Sequence, residues 1–371
     1  MTNHKTVLLM GGDGIGPEVT EQGARVLAWF ADRRGLPLHF EDDLYGGACF
    51  DEHGVFVRDE TVIHAGEVDA MLCGASGGPK WDDLPEARPK AGMDGLTRMR
   101  RELDLYANIR PSRCLPALEN ASTLKPEVVR GVDLIVLREL TSGIYYGEPR
   151  GIEELPDGRR RGVDTQIYIS DEVARVVRQA FELARDRRGI VHSVEKSNVM
   201  ETGILWREVA TEVHAEEFPD LTLHHMLTDN CAMQLVREPR QFDVIVTDNL
   251  FGDLLSDATA MLMGSLGMLP SASLGPVRDD GRRAAIYEPV HGSAPDIAGR
   301  GIANPLASIL SVAMMLRLSL DAPDEAAMLE RAVDAALDGG ARTADLARGD
   351  QRPVSTSAMG DAVIAALEEQ L

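Results

Sequence analysis

Cysteine is scarce in this chain of 371 residues. The four cysteines, at positions 49, 73, 114 and 231, stand far apart and show no paired spacing, which argues against a zinc cluster and favours reduced thiols. Long apolar runs are also missing, because Arg317 interrupts the most apolar stretch, 302–320, and a membrane helix needs about 20 such residues. We therefore expect a cytoplasmic protein that does not span a membrane.

Positively charged residues are also relatively few. Lys and Arg number 38 against 60 Asp and Glu, a formal net charge of −22, which repels nucleic-acid phosphates and anionic lipids. Neither nucleic acid nor a membrane is therefore an expected partner, and any anionic ligand must be held by locally concentrated arginine and lysine. At 371 residues the chain is longer than one hydrophobic core usually grows, which predicts two domains.

Short apolar runs alternate with longer helical patterns along the chain. The runs indicate buried strands at 6–10, 68–73, 131–138, 190–194 and 243–247, and the helical patterns lie at 17–33, 170–187, 203–217 and 304–320. This alternation predicts an α/β fold with much parallel sheet. Residues 144–169 interrupt it with two polar extended runs around a Pro-Asp-Gly turn, a hairpin-like arm that would suit pairing with a second subunit.

Two glycine-rich segments look like known motifs but depart from them. Residues 11–18 (GGDGIGPE) follow the first strand, where a dinucleotide fingerprint would lie, yet Pro17 takes the place of its last glycine. The Rossmann pattern therefore fails, and a tight turn without a ligand is an equal alternative. Residues 74–78 (GASGG) match a hydrolase nucleophile elbow centred on Ser76, but the residues that follow do not continue as a helix, so a serine hydrolase is a remote alternative.

The segment 243–257 (DVIVTDNLFGDLLSD) has the pattern of a strand that turns into a helix. Asp253 and Asp257 are about one helical turn apart and therefore lie on one face. Two carboxylates with few softer ligands suit a hard cation, Mg²⁺ or Mn²⁺, with coordination positions left open for a chelating substrate. The alternative is a helix-capping Asp253 and a solvated Asp257, because acidic residues are common in first turns.

Arginine is concentrated in residues 98–113, and Arg138 ends a later buried strand. A surface stripe is the usual explanation for such a run, but Arg110 and Arg138 are expected to point into a cleft. Guanidinium forks bind carboxylates through two hydrogen bonds, which suggests a polycarboxylate ligand. Lys196 follows another strand end, and it is either a merely exposed lysine or, if it faces the metal, a general base.

A loop of small residues, 288–297 (EPVHGSAPDI), exposes backbone amides and carries Asp296. Such a loop can wrap an adenosine, with the carboxylate of Asp296 accepting hydrogen bonds from the ribose hydroxyls. An ordinary surface loop is the alternative.

Taken together, these motifs resemble the isopropylmalate/isocitrate dehydrogenase family of β-decarboxylating dehydrogenases. The resemblance spans nearly the whole chain and rests on 12–19 (GDGIGPEV), 105–111 (LYANIRP), 138–147 (RELTSGIYYG), 229–233 (DNCAM), the aspartate helix and the adenosine loop. Residues 77–82 (GGPKWD) and 204–207 (ILWR) are similar to the isopropylmalate branch in particular. The resemblance implies a two-domain fold with mixed sheets, not a Rossmann fold, with one domain from 1–105 plus 264–371 and the other from 106–263.

The resemblance also implies roles for individual residues. It gives Arg100, Arg110 and Arg138 as binders of the malate carboxylates, Asp253, Asp257 and Asp229 as metal ligands, Lys196 as the base and Tyr145 as the proton donor. Lys196 and Asp229 would come from the second subunit of a homodimer. NAD would be held by Gly77, Gly78, Glu288, His291, Gly292, Ser293, Ala294, Asp296, Ile297 and Asn304, and the carboxylate at position 296 would favour NAD over NADP.

The reaction implied by the resemblance is the NAD- and Mg²⁺- or Mn²⁺-dependent oxidative decarboxylation of 3-isopropylmalate to 4-methyl-2-oxopentanoate, in leucine biosynthesis. Residues 93–97 (MDGLT) depart from the family's acidic residue and paired leucines, which leaves the alkyl group open, although Leu96 and Val199 are expected to line its pocket. Another 3-substituted malate, D-malate or tartrate is the alternative substrate, whereas Asp94 and Leu96 disfavour the third carboxylate of isocitrate. A non-catalytic paralogue is the remaining alternative.

Overall fold

The computed structural model of this chain describes residues 4–84 and 95–371. Within these residues the strands are β1 (Lys5–Met10), β2 (Leu38–Asp42), β3 (Ala70–Cys73), β4 (Ala107–Arg113), β5 (Asp133–Glu139), β6 (Gly151–Glu154), β7 (Arg160–Val163), β8 (Ile190–Glu195), β9 (Thr222–Leu227), β10 (Val244–Thr247), β11 (Pro270–Leu274) and β12 (Ala285–Pro289). The helices are α1 (Gly16–Arg34), α2 (Gly47–His53), α3 (Asp59–Ala65), α4 (Gly95–Glu102), α5 (Pro126–Val129), α6 (Ser170–Arg185), α7 (Glu201–Glu217), α8 (Thr228–Arg237), α9 (Asn249–Met263), α10 (Leu306–Leu318), α11 (Pro323–Asp338) and α12 (Thr356–Glu368).

Ten of these strands form one mixed sheet, in the order β2-β1-β3-β12-β11-β4-β5-β10-β8-β9. Neighbouring strands toward each edge are parallel. The three pairs in the middle, β12 with β11, β11 with β4 and β4 with β5, are antiparallel. Because the direction reverses three times, the parallel strands at the two ends of the sheet run in opposite directions. The α/β fold with a mixed sheet is therefore confirmed, and the sheet is not a Rossmann sheet.

All five predicted strands and all four predicted helices are present, with ends that shift by one or two residues. The polar excursion forms a separate antiparallel hairpin of β6 and β7, and nearly all of its strand residues are exposed. Its expected contact with a second subunit stays a prediction.

The most apolar stretch of the sequence is a core helix, α10. Its side chains are buried on almost every side, with Leu306, Ile309 and Met315 fully buried, as expected for a helix that is hydrophobic all round. It packs against α1, α11 and the β11–β12 pair. Among the residues that the structure describes, no helix is both long enough and apolar enough to cross a membrane.

The predicted domain boundaries fall between α4 and β4 and at the end of α9. The sheet is continuous across both, because β11 of the first predicted domain pairs with β4 of the second. The two-domain division stays a prediction.

Candidate active site

Helix α9 packs across β4 and β5 in the middle of the sheet. The helix begins after Asp248, whose carboxylate accepts a hydrogen bond from the backbone N–H of Phe251 at 2.8 Å. Gly252 lets the first turn of α9 approach β5 closely, because a Cβ at this position would lie 2.6 Å from the Cβ and Cγ of Arg138. This close approach places the aspartate face of α9 against the arginines of the two strands.

Arg110, on β4, lies almost fully buried beneath α9. Its Nε donates to Asn108 Oδ1 at 2.7 Å and its Nη1 donates to Ser256 Oγ at 2.8 Å. Its Nη2 and Nη1 lie 3.3 Å from carboxylate oxygens of Asp253 and Asp257, respectively. Burial lowers the pKa of Arg110 to about 10, and a second guanidinium nearby acts in the same direction. The group nevertheless stays charged near neutral pH.

Arg138, at the end of β5, is the second buried guanidinium. Its Nε and Nη2 both donate to Asn249 Oδ1, at 2.9 and 2.7 Å, and its Nη1 forms an ion pair with Asp253. The guanidinium carbon lies 5.1 Å from the ring centroid of Tyr145, whose hydroxyl donates to Asp253 Oδ2 at 2.9 Å. One carboxylate therefore connects the arginines and the phenol.

The two carboxylates of α9 differ in their electrostatic environment. Burial alone would raise the pKa of Asp253, but the guanidinium groups of Arg138 and Arg110 outweigh burial and hold this pKa below its usual value. Burial raises the pKa of Asp257, and the charge of Asp253 acts in the same direction. The surroundings therefore favour the charged form of Asp253 and disfavour the charged form of Asp257.

Lys196 and Asp229 form a second pair. Lys196 follows β8, Asp229 lies in the first turn of α8, and the Lys196 Nζ is 2.5 Å from Asp229 Oδ1. A hydrogen bond from Lys196 lowers the pKa of Asp229. In residues 4–84 and 95–371, no three His, Cys, Asp or Glu side chains of this single chain are grouped to hold one metal ion. The predicted triad of Asp229, Asp253 and Asp257 is therefore not assembled within one chain.

Arg100 pairs with Glu288. Arg100 lies on α4 and Glu288 on β12, and the Arg100 Nη2 donates to Glu288 Oε1 at 2.5 Å. Both side chains are largely buried. The positive charge of Arg100 also helps to lower the pKa of Arg110 and of Asp253. Glu288, predicted to contact NAD, thus forms an ion pair with a predicted substrate arginine. Its contact with NAD stays a prediction.

The glycine turn after β1 supports the neighbouring loops. The carboxylate of Asp13 accepts hydrogen bonds from the backbone N–H groups of Gly47, Ala48 and Gly77, each at 2.7 Å. Gly14 has a positive φ of 60°, and a Cβ there would lie 2.0 Å from the carbonyl oxygen of Ser293. These contacts give the turn a structural role in holding the Gly77 loop and the loop at 291–304.

The loop at 291–304 is anchored on α1. Glu18 accepts hydrogen bonds from the N–H groups of Gly299 and Gly301, the latter at 3.0 Å. Ala294 and Ile297 pack on an apolar cluster with Ile15. By contrast, Gly292 and Asp296 are exposed, so an anchored loop presents a backbone segment and a carboxylate to solvent.

Three predicted NAD residues of this loop are buried, namely His291, Ser293 and Asn304. Asn304 has its polar atoms committed, because its Nδ2 donates to Asp345 at 3.0 Å and its Oδ1 accepts from the N–H of Leu306 at 3.0 Å. His291 is different. Its Nδ1 lies 3.0 Å from the carbonyl oxygen of Gly292, but its Nε2 is buried and has no hydrogen-bond partner within the described part of the chain.

The two predicted alkyl-pocket residues differ in burial within one chain. Leu96 is half-buried and packs on an apolar cluster that contains Met99, whereas Val199 is 73% exposed. Met93 and Asp94 lie outside the described residues. The remote hydrolase alternative fails, because the residues after Ser76 form turns and a nucleophile elbow requires a helix there.

Three polar residues that hold the arginines were not among the predicted site residues, namely Asn108, Ser256 and Asn249. The spacing of two of them from predicted site residues could have identified them. Asn249 lies four residues before Asp253 on the same helix, and Asn108 lies two residues before Arg110 on the same strand, so each shares a face with a predicted residue.

Comparison with known proteins agrees with this geometry. The family model described as isocitrate/isopropylmalate dehydrogenase matches residues 6–363. The 3-isopropylmalate dehydrogenase of Cereibacter sphaeroides is 58% identical over 368 residues, which cover 99% of this chain and 99% of that protein. The 3-isopropylmalate dehydrogenase 1 of Bradyrhizobium diazoefficiens is 57% identical over 369 residues, which cover 100% of this chain and 97% of that protein.

Comparison with solved structures indicates the same family. The crystal structure of isocitrate dehydrogenase from Methylococcus capsulatus matches with a TM-score of 0.85 and 32% identity, covering 98% of this chain and 99% of that chain. A β-decarboxylating dehydrogenase from Thermococcus kodakarensis matches with a TM-score of 0.77 and 32% identity, covering 98% of this chain and 96% of that chain. The chain therefore belongs to the isocitrate/isopropylmalate dehydrogenase family.

Proposed function

We propose that this protein catalyses the NAD-dependent oxidative decarboxylation of 3-isopropylmalate to 4-methyl-2-oxopentanoate, a step of leucine biosynthesis. The observation that carries the proposal is the cluster under α9, in which two buried arginines meet Asp253, Asp257 and Tyr145. Two relatives that share more than half of the sequence are named for the same activity.

Substrate carboxylates would bind to Arg110, Arg138 and Arg100. Each of these guanidiniums already contacts a carboxylate of the protein. Binding would therefore exchange a protein carboxylate for a substrate carboxylate, which keeps the buried guanidiniums paired. Asn108, Ser256 and Asn249 would hold Arg110 and Arg138 in place during this exchange, because their hydrogen bonds do not involve the exchanged group.

The carboxylates of Asp253 and Asp257 fit a divalent cation such as Mg²⁺ or Mn²⁺. They offer hard oxygen donors from one helix face, and Arg138 and Arg110 keep Asp253 ionised. When bound, the cation would supply Lewis acidity at the C2 hydroxyl and at the carbonyl that replaces it. Asp229 of a second subunit would complete the carboxylate set.

NAD would bind along the loop at 291–304, between the Gly77–Gly78 turn and the exposed Asp296. The residues fit a nucleotide, because the buried, unpaired Nε2 of His291 is costly without a hydrogen-bond donor and an adenine amino group would provide one. Asp296 would accept hydrogen bonds from the ribose hydroxyls and repel the phosphate of NADP. When bound, NAD would accept the hydride from C2.

Two side chains would handle protons. Lys196 would remove the proton of the C2 hydroxyl, and Tyr145 would protonate the carbon from which CO₂ departs. Burial raises the pKa of Tyr145 above its usual value, so the phenol keeps its proton near neutral pH, as a donor must. Because its hydroxyl donates to Asp253 in this structure, Tyr145 would turn from Asp253 toward the substrate.

A homodimer would bring these groups together. Lys196 and Asp229 pair with each other rather than with the aspartates of α9. Helices α8 and α9 pack side by side and expose apolar side chains that suit a subunit interface, namely Met233, Val236, Leu254 and Met261. Leu254 and Met261 border Asp257 at helical spacings, so an interface there would reach the site.

The second subunit's copy of Val199 would then join Leu96 around the alkyl group, and the exposed β6–β7 hairpin would serve as a dimerisation arm.

Domain division and location complete the proposal. The first domain would comprise 1–105 and 264–371 and the second 106–263, with the site near their junction at β4. A cytoplasmic location is consistent with four cysteines that are all free and buried.

An NADH assay over a panel of substrates tests the proposal. We expect 3-isopropylmalate, with Mg²⁺ or Mn²⁺, to give the highest kcat/KM among 3-alkylmalates, D-malate, tartrate and isocitrate. A protein that prefers D-malate, tartrate or isocitrate to every 3-alkylmalate would refute the substrate assignment. A protein that forms no NADH with any of them would refute the enzyme assignment.

A further inference from the structure

A cavity lies behind the sheet, on the face opposite the aspartates of α9. It has a volume of about 370 Å³, within the range of roughly 300–1,000 Å³ that small-molecule sites occupy. Ile109 and Ile135 line it from β4 and β5, and Leu310 and Met314 line it from α10. Ile109 is the strand neighbour of Arg110, and because side chains alternate along a strand the cavity and the active site occupy opposite faces of β4.

Partly exposed charged side chains of both signs line this back cavity and define its mouth. Three ion pairs border it: Arg113 with Asp334 at 2.7 Å, Arg187 with Asp133 at 2.8 Å and Arg317 with Glu330 at 2.7 Å. Guanidinium and carboxylate groups are therefore present there in equal number. An anionic head group would meet three carboxylates, and a cationic one would meet three guanidiniums, whereas a zwitterion finds a partner for each of its charges.

We propose that the back cavity is a second small-molecule site that takes an apolar α-amino acid. The aliphatic side chain would lie against Ile109, Ile135, Leu310 and Met314, where it is removed from water. The carboxylate and ammonium groups would insert among the ion pairs of the mouth, with Arg317 as one carboxylate partner. Binding itself does not depend on the proposed reaction.

Calorimetry with L-leucine tests this proposal without any measurement of turnover. We expect one leucine bound per chain. Each buried methylene contributes about fourfold in affinity, so leucine should bind on the order of fiftyfold more tightly than alanine. Two further ligands each lack one charge: 4-methylpentanoate has no ammonium group and 3-methylbutylamine has no carboxylate. Both should bind at least about tenfold more weakly than leucine.

Variants locate the site. Met314→Trp fills the cavity and should abolish leucine binding, and Arg317→Gln, at the partly exposed mouth, should weaken it roughly tenfold. Arg130→Gln is the matched control, because it removes a similar arginine–glutamate pair that does not line the cavity. Asp257→Asn, on the other face of the sheet, should also leave binding unchanged.

Three results would overturn the proposal: no leucine binding at millimolar concentration, full binding by both Met314→Trp and Arg317→Gln, or loss of binding in Asp257→Asn with retention in Met314→Trp. The last would place leucine in the active site. Because Arg317→Gln changes an exposed side chain, it remains informative if Met314→Trp fails to fold.

Discussion

If each active site combines residues of two subunits, two inactive variants should restore activity when mixed. Lys196→Met removes the proposed base, which typically costs about 10²–10⁴-fold in rate, and Asp253→Asn removes a proposed metal ligand. In one chain Lys196 pairs with Asp229 and Asp253 pairs with Arg138. The two substitutions therefore fall on different sides of a shared site, and a mixed dimer would contain one site with both defects and one site with none.

The size of the rescue follows from this geometry. Random exchange of equal amounts gives mixed dimers as about half of the population, and one of the two sites in each is intact, so about a quarter of all sites should be active. Purified mixed dimers, isolated through two different affinity tags, should reach about half of the parent activity. Both values far exceed the residual activity of either variant alone.

The assay is NADH formation after denaturation and joint refolding of the two variants. A matched control mixes Lys196→Met with Asp229→Asn, which lie on the same side of the proposed site, so that both sites of the mixed dimer carry a defect and no activity returns. If tagged mixed dimers of Lys196→Met and Asp253→Asn were no more active than the separate variants, the shared site would be refuted. Each chain would then have to complete its own site.

The metal, the cofactor, the alkyl pocket and the cap of α9 each give a further prediction. EDTA should abolish activity reversibly, and the small residual activity of Asp253→Asn should need a higher Mg²⁺ concentration for its half-maximal rate because one anionic ligand is lost; full activity without divalent metal would contradict this. Steady-state kinetics should show kcat/KM for NAD more than about tenfold above that for NADP, because Asp296 repels the extra phosphate. Leu96→Glu should depress kcat/KM for 3-isopropylmalate far more than for malate, since three buried carbons at about 0.8 kcal/mol each give a preference of roughly fiftyfold; equal losses would exclude Leu96 from the pocket. Burial raises the pKa of Asp248 from 3.8 to about 6, so the folded state holds this proton more tightly than the unfolded chain and stability falls as pH rises from about 4 to about 6. Asp248→Asn should remove this dependence, and urea unfolding at pH 5 and pH 8 should show the parent losing on the order of 1 kcal/mol relative to the variant.

Local sequence patterns predict the parts of the site that lie on one element. The spacing of Asp253 and Asp257 places both on one face of a helix, and an uninterrupted apolar run leads to Arg138; the structure contains both features. The same patterns predict β1, β3, β5, β8 and β10, which are rich in buried apolar residues. They do not predict the edge strands β2 (LHFED) and β9 (TLHHML), in which polar residues interrupt the apolar ones.

The middle of the sheet follows no such pattern. Strand β11 (PSASL) starts with proline and contains mostly small residues, yet all five of its residues are buried. Strand β4 contains Pro111, which is normally confined to edges. The pairing of β4 with β11 ends at Ile109. At Pro111, β5 is therefore the only strand that pairs with β4 among the described residues, so this part of β4 is an edge. These strands are identified by their neighbours, which the local sequence does not specify.

Contacts between segments that are distant in sequence could not be predicted either. Arg100 and Glu288 are separated by 188 residues, and the amides that Asp13 holds belong to two separate loops. Motif spacing gives no distance between such segments, so the sequence does not predict that Glu288, a predicted NAD residue, pairs with Arg100, a predicted substrate residue.

Charge balance explains why so many arginines are tolerated in this site. The guanidiniums of Arg100, Arg110 and Arg138 face the carboxylates of Glu288, Asp253 and Asp257, which makes the cluster formally neutral. A 3-alkylmalate brings two negative charges and a divalent cation brings two positive charges, so the two together preserve this balance. Either one alone would add uncompensated charge next to the buried guanidiniums of Arg110 and Arg138. Substrate and metal should therefore strengthen each other's binding by the same factor.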